Sequence, residues 1–509
     1  MALWAGRAPG IADLAALPAL AFLGRLVLEA TDGGPLWSEF AARAIHLRPP
    51  ETAAPVTSSL LVGLATLGSL AAARRSLAGR DHPAVWSAGA ALFAPLSVLA
   101  LEVLWQPALV VGAYPWALHS IALAAVMTAL AAAFARADGG AGRRTAHATL
   151  AALALMAFAL FAVLTKAALT LALAVLILGA AALGRRFRLP EMGRFMQAGM
   201  AVIGWRLIVD PGVPWAVESA GLWEVWAAYG GAAAAAVAAL ALWPGMSRAT
   251  RAALESGAAA WAALLANVLV TRWLIVDGAE DRLFTHWGLT LNALPWLITL
   301  LVQLYRMPAG MRWLRGIIAT VAGLIALAGL ALAAGPGSPA AIRSASDNWV
   351  RGPLILDTLA LAYLVPGLML LVALPRLAHL RRWLRGLLGI AGAMLAGLYA
   401  TLEIRRFWRG DDLSVPGVTQ PELYTYTVAL LVVGAALLWQ AIAKRSRGLR
   451  RIAMAVIALA IAKVFLIDAS GLSGLTRVFS FLALGLSLAA LAWLNRWAAG
   501  RQGDDAETA

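Results

Sequence analysis

Cysteine is absent from the 509-residue chain. Disulfides, thiolate nucleophiles, iron–sulfur ligation and Cys-based zinc sites are therefore excluded, while the redox compartment stays open. Charge is scarce: 13% of residues are Asp, Glu, Lys or Arg, against about a quarter in ordinary soluble proteins. No polar stretch is long enough to build a soluble domain. Of the six histidines, His46, His82, His119, His147, His286 and His379, no two are spaced three or four apart. Local metal-ligand pairs are thus missing, and the sequence calls for neither a metal nor a cofactor. A phosphate-cradling P-loop, a Gly-x-Ser-x-Gly elbow and a His-Glu-x-x-His motif are all lacking. The apolar stretch Leu14 to Leu28 is broken by Pro18 and Arg25 and has no small-residue cleavage site. It reads as a poor spanning or interfacial helix, not as a cleaved signal.

What is present is apolar. Hydrophobic residues make up 62% of the chain and the mean hydropathy is +0.79. A soluble core cannot absorb that much apolar surface, but a bilayer can. Apolar runs recur at 55–73, 83–104, 113–135, 145–164, 167–184, 193–209, 223–243, 253–275, 285–305, 313–334, 353–375, 384–404, 423–443, 449–467 and 474–495. Each can cross about 30 Å of hydrocarbon at 1.5 Å per residue. The expected fold is an all-α polytopic bundle of about fifteen or sixteen spans, with residues 1–54 as an N-terminal segment, 55–499 as the membrane domain and 500–509 as a disordered tail.

The net charge of +15 does not point to nucleic acid, because the arginines sit in alternate short loops. These loops hold, in turn, Arg74 and Arg75; Arg143 and Arg144; Arg185, Arg186 and Arg188; Arg248 and Arg251; Arg312 and Arg315; Arg381, Arg382 and Arg385; and Lys444 to Arg451. Intervening loops hold most of the acids, such as Asp210, Asp277, Asp411 and Asp468. The positive-inside rule then places the C-terminus in the cytoplasm, with the N-terminus beside it if 11–29 spans. Membrane lipids are the expected partners, together with other envelope proteins.

Three spans finish alike at the arginine-poor side: Arg206 to Asp210, Arg272 to Asp277 and Lys463 to Asp468. Each has a cation one helical turn inside an aspartate, as if an in-and-out hairpin had been used repeatedly. Charge at the centre of a membrane helix costs roughly 2.5 to 3.5 kcal/mol, but near the ends a side chain snorkels to water. Lys166, one of three lysines, and Asp357 join these as secondary candidates. The principal candidate is one outward polar cluster of Glu403, Arg405, Arg406, Lys463, Asp468 and Arg477. Two readings of it stand: an ion network that ties helix ends together, or an anion site. Four cations against two carboxylates point the second toward a phosphate or carboxylate headgroup.

The blocks Glu403-Ile-Arg-Arg-Phe407, Glu422-Leu-Tyr-Thr-Tyr-Thr427, Lys463-Val-Phe-Leu-Ile-Asp468 and Gly471 to Phe481 resemble the bacterial membrane family known as domain of unknown function 2339. Weaker echoes reach back to about residue 150, including Asp357-Thr-Leu-Ala-Leu-Ala-Tyr-Leu-Val-Pro366. The resemblance implies an inner-membrane location and brings no activity or catalytic residues. It also implies that this is a short or truncated member, since relatives carry extra N-terminal helices. Three functions compete. A structural or scaffold protein of the envelope would show charges consumed by one another. A transporter or flippase for an anionic or lipid-linked substrate would line a cavity with them. An outward-facing enzyme on a lipid-linked substrate would converge carboxylates and cations beside an opening to lipid.

Overall fold

A computed structural model describes residues 16–49, 51–79, 82–140, 142–275, 280–341 and 348–467, with five helical positions beyond them (482, 485, 486, 489 and 493). Among the described residues there are helices, turns and irregular segments and no strand. Twelve helices there are long and apolar enough to cross a membrane. Two further expected spans are present as helices but carry more charge: Glu191–Ile208, with Glu191, Arg194 and Arg206, and Arg447–Leu466, with three arginines and Lys463. Of the expected span 474–495 only those five positions are described, and the tail lies outside the described residues.

We number the helices α1 Leu17–Thr31, α2 Pro35–Ala41, α3 Thr57–Leu77, α4 Pro83–Trp105, α5 Ala113–Ala137, α6 Arg143–Val163, α7 Lys166–Phe187 and α8 Glu191–Ile208. There follow α9 Gly212–Glu218, α10 Leu222–Leu242, α11 Arg248–Leu274, α12 His286–Arg306, α13 Arg312–Ala334, α14 Ala360–Leu377, α15 Arg382–Arg409, α16 Gln420–Ala443 and α17 Arg447–Leu466. The chain forms two units, residues 1–278 with 292–326, and 279–291 with 327–509.

Unit one holds two apolar cores. One packs α3 to α6 against α1 and α2 around Leu101, Trp116, Met127 and Phe134; the other packs α6 to α11 around Met192, Met196, Ile203 and Tyr229. Alanines such as Ala65, Ala94, Ala146, Ala180 and Ala181 are almost wholly buried. Lipid is as apolar as leucine, so helix association in a bilayer relies on close backbone approach, which small residues permit. Polar side chains add ties: Asn267 Nδ2 donates to Asn292 Oδ1 at 3.0 Å and Ser256 to Gln303 at 3.0 Å. The buried Arg315 meets Glu255 at 2.7 Å.

Unit two is built around α14 to α17. Gly367 and Gly392 bring α14 and α15 together so closely that a Cβ on Gly367 would lie 2.9 Å from the Gly392 carbonyl oxygen. The expected span 353–375 starts later than its apolar run suggests, because residues 351–357 are non-helical. Asp357 therefore sits at the helix end, where its Oδ1 accepts the Ala360 N–H at 2.8 Å, and not inside an apolar turn. His286, fully buried, bridges Asn348 (2.8 Å) and Thr358 (2.9 Å) and so fixes the segment that leads into α14.

Candidate functional site

The sequence of α15 ends in three arginines, Arg405, Arg406 and Arg409, one helical turn deep. Gly410, at φ 78°, stops the helix and turns the chain back over that last turn. Residues 411–419 then lie where their carbonyls and Asp411 meet the guanidinium groups.

Arg406 is the centre, with 6% of its surface exposed. It pairs with Asp357 Oδ2 at 2.7 Å and Asp411 Oδ1 at 2.9 Å. Its remaining contacts are the carbonyls of Gly352 (2.6 Å) and Pro353 (3.3 Å) and a second bond to Asp411 (3.1 Å). Five N–H groups make five hydrogen bonds, the full capacity of a guanidinium. Glu403 accepts the Ile355 N–H at 2.8 Å, and its carboxyl lies beside that of Asp357.

Glu422 anchors the second half of the cluster and has no exposed surface. Arg409 Nε donates to it at 3.0 Å, Arg405 lies 3.6 Å away, and the Tyr426 hydroxyl donates at 3.0 Å. Glu422 also accepts the Thr419 N–H at 3.3 Å, closing a capping box at the start of α16. Arg405 and Arg409 spend their other donors on the carbonyls of Leu413, Val415, Pro416 and Gly417. One residue further along α16, the Leu423 carbonyl accepts from Lys463 Nζ at 2.9 Å, and Thr427 Oγ1 takes a second bond at 2.6 Å.

So Glu403, Arg405 and Arg406 gather at the end of α15 with Asp357, and Lys463 bonds the first turns of α16 beside Glu422. Asp468 and Arg477 lie outside the described residues, as does Asp277. Arg409, Asp411 and Glu422 complete the set and were not expected in it. The sequence holds a signal for two of them: Thr419-x-x-Glu422 is the capping-box pattern, and Arg409 shares a helix face with Arg405 by its i,i+4 spacing. Their inclusion changes the charge balance. Arg405, Arg406 and Arg409 pair with Asp357, Asp411 and Glu422, Glu403 accepts a backbone N–H and Lys463 meets Leu423 and Thr427, so the cation excess that favoured an anionic ligand is not found among the described members.

The secondary candidates in unit one behave differently. Arg206 donates to Thr170 Oγ1 (3.3 Å) and the Lys166 carbonyl (3.2 Å), and reaches Asp210 at 3.5 Å. Asp210 is exposed, as is the Lys166 side chain. Arg272 bonds the carbonyls of Ala216 and Ala220, both at 2.7 Å. Each of the two cations thus meets backbone oxygens of a neighbouring segment.

Two contact patterns recur at equal spacing. Arg206 reaches back 36 residues to a threonine hydroxyl and 40 to a carbonyl, and Lys463 does the same with Thr427 and Leu423. In the other pattern a helix opens with a π-helical turn, Trp226–Gly230 or Ala360–Leu364. A buried tyrosine in that turn, Tyr229 or Tyr363, donates at 2.7 Å to a carbonyl at the end of an earlier helix, Leu207 or Ala333. The next helix returns with an arginine, Arg272 or Arg406, that binds carbonyls ahead of the π turn. Tyr229 precedes Arg272, and Tyr363 precedes Arg406, by the same 43 positions.

A family model described as "Predicted membrane protein (DUF2339)" matches residues 12–497. The chain belongs to that family. The match covers nearly the whole of this DUF2339 member, well beyond the C-terminal third in which the sequence blocks are clearest. No curated protein and no solved structure matches the chain. The DUF2339 description names a membrane protein and no activity, so the functional reading rests on the geometry above.

Proposed function

We propose that this integral membrane protein is an architectural component of the bacterial cell envelope, held in the inner membrane with its C-terminus in the cytoplasm, and that the unit-two cluster is a clamp and not a ligand site. One observation carries the reading: the guanidinium groups of Arg405, Arg406 and Arg409 are spent on carboxylates and backbone carbonyls of the chain itself. A cation set built to hold a substrate headgroup would keep donors available for it. The clamp fixes the helix ends and the loop 411–419 as one rigid surface, which suits a scaffold for other envelope proteins.

Thermal unfolding of the purified protein tests the clamp. Inorganic phosphate at millimolar concentration is expected to leave the midpoint unchanged, because a ligand that binds only the folded state must raise it. A rise that disappears in Arg406→Gln would turn the cluster into an anion site. Reporter fusions in 376–383 and 405–422 are expected on opposite membrane sides, and finding both on one side would overturn the orientation.

A further inference from the structure

Two serine–histidine contacts tie helices of unit one, and they differ in which partner holds the proton. At the arginine-poor end, Ser59 in the first turn of α3 lies 2.8 Å from His119 Nε2 of α5. His119 Nδ1 is 2.7 Å from the Pro115 carbonyl oxygen. A carbonyl only accepts, so Nδ1 carries the ring proton and Nε2 of the neutral ring offers its lone pair to the Ser59 hydroxyl. In the other contact, Ser87 Oγ donates to the Ala84 carbonyl at 2.8 Å and meets His147 Nδ1 at 3.0 Å. That hydroxyl proton is committed to the backbone, so His147 is the donor there. The first pair alone has the arrangement of an activated nucleophile: a hydroxyl, a base within reach and a third group that orients the base.

The surroundings differ in the same sense. Val56 leaves α3 without a side-chain cap, and the N–H groups of Thr57, Ser58 and Ser59 have no backbone acceptor among the described residues. Open first-turn donors with a helix dipole behind them are groups of the kind that stabilise an oxyanion. Ser58 and Ser120, the immediate neighbours of Ser59 and His119, are wholly buried with unpartnered hydroxyls. The Trp116 ring backs His119 at 5.6 Å. Ser59 and His119 are half-buried, whereas Ser87 is fully buried. Around the same helix ends Val56, Leu60, Tyr114 and Leu118 are 62–75% exposed, an apolar surface open to lipid in a membrane.

We propose that Ser59 is a nucleophile, with His119 as its general base, for acyl transfer from an ester carried by membrane lipid. Ser59 Oγ bonds to the ester carbonyl carbon while its proton passes to His119 Nε2. Collapse breaks the ester C–O bond, and His119 returns the proton to the departing alcohol. Water then attacks the acyl-serine by the reverse proton path, giving a carboxylic acid and free Ser59. This step lies wholly in unit one and does not depend on the clamp in unit two.

The test uses the purified full chain in detergent with an alkyl fluorophosphonate, followed by peptide mass spectrometry. The expected result is an adduct on Ser59 that is absent in Ser59→Ala, formed at least about tenfold more slowly in His119→Gln, and unchanged in Ser87→Ala. Because the adduct is mapped on the wild-type chain, its position decides the matter even where a variant folds poorly. No adduct on Ser59, or labelling of Ser59 at the wild-type rate in His119→Gln, overturns the proposal and leaves the pair a tie between helices.

Discussion

The two units secure similar helix ends by different means. In unit one, Arg206 and Arg272 stand beside packed apolar cores and each bonds one or two carbonyls of a neighbouring segment. In unit two, Arg405, Arg406 and Arg409 at the end of α15 are paired with Asp357, Asp411 and Glu422, while Lys463 of α17 bonds a carbonyl and a hydroxyl of α16. Burial explains the difference. Half of the apolar stretch of α11 is covered within the structure, but only 17% of that of α15 or α16. Where little side-chain packing holds helices together, hydrogen-bonded ion pairs in a partly dry setting supply the specificity instead.

The sharpest way to break this comparison is to remove the equivalent arginines. Arg406→Ala leaves Asp357 buried without its counter-charge, a change that typically costs about 3–5 kcal/mol. Arg272→Ala strands the carbonyls of Ala216 and Ala220, for which about 1–3 kcal/mol is expected. Limited proteolysis of the 411–419 loop together with thermal unfolding reads both. Equal losses would mean that the ion network adds nothing beyond carbonyl capping.

A finer test uses the paired tyrosines. Tyr229→Phe and Tyr363→Phe each delete one buried hydroxyl-to-carbonyl bond of 2.7 Å. Each is expected to cost about 1 kcal/mol, and the two costs should be alike if the turns do the same job. A large inequality between the two melting shifts would show that the likeness is one of geometry alone.

The smallest effect is a pH response at the rim of the clamp. Two hydrogen bonds from Ser414, its hydroxyl first and then its backbone N–H, hold the Asp412 carboxyl below the usual carboxylate range. A depressed value favours the folded state above the unfolded pKa, and the gain fades as pH falls through the folded value. Stability of the loop 411–419 should therefore drop slightly below about pH 4, the ordinary aspartate range. Ser414→Ala should flatten that drop in a proteolysis series from pH 6 to pH 3.

Much of this organisation was legible in the sequence. Hydropathy and alternating arginines identify the helical membrane fold, because the bilayer imposes one length scale on every span. The repeated cation-and-aspartate endings at Arg206, Arg272 and Lys463 also marked where chain-to-chain ties occur. What could not be read was the partner. A backbone carbonyl such as Leu423 or Ala216 has no residue signature, so side-chain spacing could not name it. The Asp411 and Glu422 contacts depended on a reversal at Gly410 that brings residues distant along the chain together. The Ser59–His119 contact spans 60 residues and involves no motif.

The matched 36- and 40-residue contacts carry an evolutionary consequence. A two-helix cassette that leaves and returns to the same membrane side can be copied or deleted without inverting anything around it. Its own closing bond, from the cation at the end of the second helix to the first turn of the first, travels with the copy. A lineage that grows in this way changes length by two spans at a time, so its members should differ in size while the sidedness of every retained loop stays the same.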